Sequence, residues 1–290
     1  MSANLSDEKG VGSQLQRIVV FFAIAFIGLG YILNTLPGVP EESKGCALDK
    51  MGHWKLALIL THILAFVLIP LAMKVFYEAL TALDWPKSAI FASQLGLSFI
   101  MVSIASEIGW HVTQCWYYQD QFTMLNFMFY FFLLSAFALW GDGLTAKNTW
   151  VTQLLNILFA LSLVVVSILY AVGSMRGKIL PDGSMTGDPN YKIPIYIALT
   201  LIFSVLTYRG WKLLEDKRII LFPIFSVGVN LFFVFLLQYH GKEIAYNALF
   251  HILHDLAGTE TGVGIFTWLV YLKGREARLK ETNEPAISSN

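Results

Sequence analysis

Long apolar stretches alternate with short polar or Pro/Gly-bearing breaks along almost the whole chain, as at Pro37-Gly38-Val39-Pro40 and Pro181-Asp182-Gly183. A helix needs about 20 mostly apolar residues to cross the hydrocarbon of a bilayer. Eight stretches qualify, at approximately 17–36, 54–80, 89–112, 122–140, 150–173, 192–208, 219–239 and 244–272. The pattern predicts an all-α fold, a polytopic transmembrane helical bundle of about eight spans. Its transmembrane domain is expected over 17–273, between polar tails at 1–16 and 274–290. The first stretch reads as a span rather than a cleaved leader, because Asn34-Thr35-Leu36-Pro37 has no small-x-small cleavage pattern. Neither an internal repeat nor a separate soluble domain is visible.

Composition sharpens this picture. Hydrophobic residues are 56% and charged residues 14%, against roughly a quarter charged in soluble domains. Disorder, collagen, coiled coil and a disulfide-stapled mini-protein are excluded. Twenty basic residues balance twenty acidic ones, so charge suggests no nucleic-acid partner. Charge placement is more informative. With eight spans both termini share a side, and thirteen of the twenty Lys and Arg collect there, among them Arg209, Lys212, Lys217 and Arg218. The positive-inside rule makes that side cytoplasmic for both termini.

This orientation puts all six histidines toward the outer, non-cytoplasmic half. Two helical clusters stand out. In the first, Glu107 and His111 lie four apart on one helix face. A carboxylate one turn inside the membrane is costly and needs a partner or a task. In the second, Asn247, His251, His254 and Asp255 form a polar stripe on an apolar helix. Lipid does not tolerate such a stripe, so it faces the bundle interior or a wet cavity. Imidazoles and carboxylates at this spacing on facing helices suit a metal ion. They also suit a hydrogen-bonded network that joins helices. Spacing alone leaves both open.

In chain order the clusters resemble the CREST superfamily of membrane hydrolases, which groups alkaline ceramidases, progestin/adiponectin receptors and GPI-remodelling lipases. The residues that carry the likeness are Glu107-x3-His111, Asp120, the aromatic run Phe127-Met128-Phe129-Tyr130, and Asn247-x3-His251. The family pattern is Ser-x3-His, a following Asp, and His-x3-His in the last span. Glu107 stands in place of the Ser, with Ser103 and Ser106 off register, and Asn247 stands in place of a His. The resemblance implies a seven-span core with one extra N-terminal span. It also implies a zinc-dependent, ceramidase-like hydrolase of lipid metabolism. Zn²⁺ would bind His111, His251 and His254 or Asp255, while Glu107 or Asp120 accepts the proton of the metal-bound water. The expected substrate is a lipid amide or ester that enters from the membrane. Whether the chain is an enzyme at all stays open at this level.

The alternative is a non-catalytic membrane receptor or transporter built on the same intramembrane cluster. Retinal attachment is disfavoured because Lys242 and Lys273 sit at the ends of the last span and none lies within it. A haem held by His62 with His111 or His251 is a further reading. Cys46 and Cys115 fall in outer loops, where they form either a disulfide or two free thiols. The segment Gly258-Thr259-Glu260-Thr261-Gly262-Val263-Gly264 is expected to kink the last span or to admit a close neighbour.

Overall fold

The computed structural model describes residues 53–113, 119–144, 149–172, 178–179, 185–186, 192–240 and 244–283. The expected first span, Cys46 and Cys115 lie outside these residues. Seven helical runs occupy the described residues. They are α1 (His53–Ala82), α2 (Lys87–Thr113), α3 (Gln119–Leu144), α4 (Thr149–Ala171), α5 (Lys192–Leu214), α6 (217–240) and α7 (244–283). A two-residue antiparallel ladder, β1 (Lys178–Ile179) with β2 (Met185–Thr186), lies in the α4–α5 connection. The chain is a polytopic helical bundle, as hydropathy predicts.

Helices α6 and α7 are not uniform. A π-helical turn, Ile224–Val229, interrupts α6, and a second, His254–Glu260, interrupts α7. The two turns pack against each other. Small residues allow this. A Cβ on Gly258 would meet Asn230 Cα at 3.1 Å, and one on Gly262 would collide with Ser226 Oγ. Asn230 Nδ2 then donates to Thr259 Oγ1 across the contact at 2.7 Å. Close approach of α2 and α3 has the same origin. A Cβ on Gly96 would lie 2.5 Å from the Trp140 backbone nitrogen. Between helices in lipid, tight packing rather than water exclusion supplies the attraction.

Outward faces are apolar. On α1, Leu56, Leu60, Leu64, Val67 and Leu71 are exposed at helical spacing, and α4 shows the same with Leu154, Ile157, Leu161, Val164 and Ile168. Continuous apolar stripes of this length are not left to water. Acyl chains cover them in a membrane. Four runs, Leu56–Ala82, Lys87–Gly109, Lys192–Leu214 and Lys217–Leu236, are long and apolar enough to span one outright. The chain is therefore an integral, multi-pass membrane protein.

The interior divides into two ends. Toward the α1–α2, α3–α4 and α5–α6 turns, aromatic rings close the bundle. Trp140 lies 5.1 Å from Phe76 and 5.0 Å from Phe266, and Phe222 lies 5.1 Å from Phe266 and 5.4 Å from Phe203 (ring centroids). At this end Trp85 Nε1 donates to the Gly143 carbonyl at 2.9 Å, and the buried Arg209 donates to the Leu144 carbonyl at 3.3 Å. Helix α7 runs on to Asn283, past the expected end of its span at 272. Its polar extension carries an i,i+4 ion pair, Lys280 to Glu276 at 2.8 Å.

Candidate functional site

The opposite end holds the ionisable groups. His62 lies nine residues into α1, and Glu107 lies six residues before the end of α2. At about 1.5 Å of rise per residue, antiparallel helices bring these positions to similar depth. His251 and Asp255 are one turn apart on α7, across the start of its π segment. π turns shift side-chain register and are frequent at functional sites.

These four side chains converge. His62 Nε2 is 3.4 Å from Glu107 Oε2 and 3.2 Å from Asp255 Oδ2. His251 Nε2 is 3.4 Å from Glu107 Oε1 and 3.4 Å from Asp255 Oδ2. One nitrogen or oxygen from each residue lies within 4.8 Å of all the others. The imidazole rings of His62 and His251 are 5.5 Å apart and inclined by 66°. The side chain of His62 is 3% exposed and that of Glu107 9%, so water screens little of their charge.

A second set of contacts orients the group. His62 Nδ1 lies 2.7 Å from the Leu58 carbonyl. A carbonyl oxygen only accepts, so Nδ1 carries the hydrogen and Nε2 turns toward the carboxylates. His254 donates from Nδ1 to Asp255 Oδ1 at 2.8 Å, which leaves Oδ2 aimed at His62 and His251.

The group borders a cavity of about 460 Å³. Apolar side chains such as Ala65, Ile104, Phe129 and Leu199 form most of its wall, while Lys192, Tyr196, Asn230 and Glu260 supply polar points. This volume is in the range of small-molecule sites.

Glu107, His251 and Asp255 come together as their spacing implied, and His254 stands beside them, bonded to Asp255 rather than within the converging set. His111 and Asp120 fall on α2 and α3, but their side chains lie outside the described residues. His62, which entered the sequence reading only as a haem ligand, is a full member of the group. Its signal is the match of depth with Glu107, visible once α1 and α2 are taken as neighbours. Ser103 and Ser106 are engaged with backbone. Ser103 donates to the Phe129 carbonyl at 2.8 Å and Ser106 to the Val102 carbonyl at 2.9 Å. The glycine-rich segment of α7 admits a close neighbour, one of the two outcomes expected of it, and overlaps the end of a π-helical turn.

Residues 54–276 match a family described as seven transmembrane receptor. The match spans well over half of the 290 residues, and the chain belongs to this family. No curated protein and no solved structure matches it. The family match overturns the expected membership in the CREST superfamily. With it goes the reading as a zinc-dependent, ceramidase-like hydrolase of lipid amides or esters. The physical reason is plain. An apolar helix that shows one polar stripe to a bundle interior must repeat its polar residues every three or four positions. Short His/carboxylate motifs therefore arise in unrelated membrane proteins.

Proposed function

With membership in the seven transmembrane receptor family as the premise, we propose that the chain is a non-catalytic membrane receptor whose ligand occupies the cavity between α1, α2, α3, α5, α6 and α7. The observation that carries this reading is the cavity itself. It is about 460 Å³ in volume, largely apolar, and bordered by ionisable groups on one side. A membrane lipid, or another molecule with an apolar body and a polar end, fits that division. Apolar walls take the body, and Lys192, Tyr196, Asn230 or Glu260 meets the polar end. The two π turns adjoin the same cavity and continue into the parts of α6 and α7 that hold Arg218 and Trp268. Ligand that favours one register of these turns over another would shift the far ends of both helices.

The excess of Lys and Arg at the aromatic end supports a cytoplasmic location for both termini, and the ionisable group then lies toward the other side. The test is equilibrium binding of a fluorescent fatty acid to the purified full chain in detergent. Saturable binding that Ala65→Phe abolishes while the helical circular dichroism persists supports the proposal. Equal binding by the filled variant sinks it. Intramembrane acids such as Glu107, Asp255 and Glu260 also suit a transporter, and ligand-driven flux in liposomes would favour that reading instead.

A further inference from the structure

We infer that His62, Glu107, His251 and Asp255 form a four-ligand site for a divalent transition-metal ion that clamps α1, α2 and α7 together. Three features support it, and none depends on the receptor reading.

The first is distance. Imidazolium–carboxylate hydrogen bonds are short, about 2.7–2.9 Å between heavy atoms. The His254–Asp255 hydrogen bond has that short spacing, at 2.8 Å. The four contacts inside the group are longer and nearly uniform, at 3.4, 3.2, 3.4 and 3.4 Å. Ligands arranged tetrahedrally around an ion at about 2.0–2.1 Å lie about 3.3–3.4 Å from one another. The four contacts fall at the ligand–ligand spacing of such a site, with one Glu107 oxygen turned to each histidine.

The second is orientation. Metal-bound histidines donate their other ring N–H to a carbonyl or carboxylate, which fixes the tautomer and aims the lone pair. His62 does this through the Leu58 carbonyl. Asp255 is held in turn by His254.

The third is charge. A metal ion binds imidazole in its neutral form, and the two carboxylates then bring two negative charges into a low-dielectric interior. One divalent cation cancels both. Two nitrogens and two oxygens at fourfold geometry suit first-row transition ions rather than Mg²⁺ or Ca²⁺, which prefer six or more oxygens. Four protein ligands close the shell, as in sites that join structural elements rather than sites that activate water.

Cobalt(II) titration tests this on tag-free, full-length protein in detergent after chelator treatment. The expected result is one equivalent bound, with the visible d–d bands of a four-coordinate ion, displaced by Zn²⁺. Glu107→Gln and Asp255→Asn keep side-chain shape. Each should weaken binding by more than the roughly 10- to 100-fold cost of losing an outer partner, with the helical circular dichroism retained. A folded wild type that takes up no Co²⁺, a six-coordinate spectrum, or wild-type affinity in both variants overturns the site. Failure of the fatty acid to bind leaves this result untouched, and the reverse also holds.

Discussion

The two ends of this bundle solve one problem in opposite ways. At one end six large rings, those of Phe76, Phe137, Trp140, Phe203, Phe222 and Phe266, fill the space between helices, with neighbouring centroids 4.6–6.3 Å apart. Edge-to-face contacts and tilted stacking make that end dense. At the other end His62, Glu107, His251 and Asp255 face one another beside a cavity. The aromatic end owes its cohesion to shape, and each ring can be removed at a cost set by the hole it leaves. The ionisable end owes its cohesion to charge balance, and no member can be removed alone without stranding the others. Rigidity therefore concentrates at one end and chemical responsiveness at the other.

The largest effects should separate these two kinds of cohesion. His62→Leu takes from Glu107 and Asp255 one of the two imidazoles they share, and breaking a buried charge set costs about 3–5 kcal/mol. Trp140→Ala opens a hole among the rings, and such truncations also cost about 3–5 kcal/mol. Thermal unfolding in one detergent should show similar losses for both. Their rescue should differ. Adding Glu107→Gln and Asp255→Asn to His62→Leu should restore part of the loss, because it removes the buried negative charges left short of a partner. The same pair added to Trp140→Ala restores none of it. Rescue of both variants, or of neither, would erase the distinction between the two ends.

Joining the two ends is the contact between the π turns. Gly262→Val should cost about 1–3 kcal/mol by overpacking, since the added carbon collides with Ser226 Oγ on α6. Its exchange signature should be local. Amide hydrogen exchange should rise in 224–229 and 254–260 while the aromatic end keeps its protection. A uniform rise over the whole chain would mean that the π turns are no separate unit.

How much of this was readable in advance follows from which interactions are local. Spans appear in hydropathy because each must be apolar along its own length, and α1 to α6 begin and end within a few residues of expectation, except that α5 runs on to Leu214. The end of α7 was not readable that way. Its last turns are held by pairs such as Glu276–Lys280, which hydropathy counts as loop. In the site, His251 and Asp255 declare themselves by i,i+4 spacing within one helix. His62 has Leu58, Ile59, Ala65 and Phe66 at those offsets, so every polar partner it has in the group comes from another helix. Convergence across α1, α2 and α7 depends on tertiary packing that no single stretch encodes. The π turns were foreshadowed only by glycines, which signal close approach without saying how the backbone adjusts.

The smallest effect should come from the tight α5–α6 turn at the aromatic end, where Glu215 adopts a positive φ of 54°. Asp216 caps the start of α6. It accepts from the Arg218 backbone N–H at 2.9 Å and from the Arg218 guanidinium at 2.6 Å. The guanidinium lies 5.0 Å over the Trp268 ring, so the cap also ties α6 to α7. Hydrogen bonds from Arg218 hold the Asp216 carboxyl below its usual range. A depressed carboxyl stabilises the fold while it is ionised, and the contribution fades as pH falls through and below that range. Asp216→Ala should therefore cost about 1 kcal/mol at neutral pH, the usual loss for a removed cap. The gap to wild type should narrow as the solution is made strongly acidic, whereas the gap between wild type and Trp140→Ala should not follow the titration of this carboxyl. Unfolding midpoints of the three proteins across an acid series measure both gaps, and a gap for Asp216→Ala that widens toward low pH would contradict the cap.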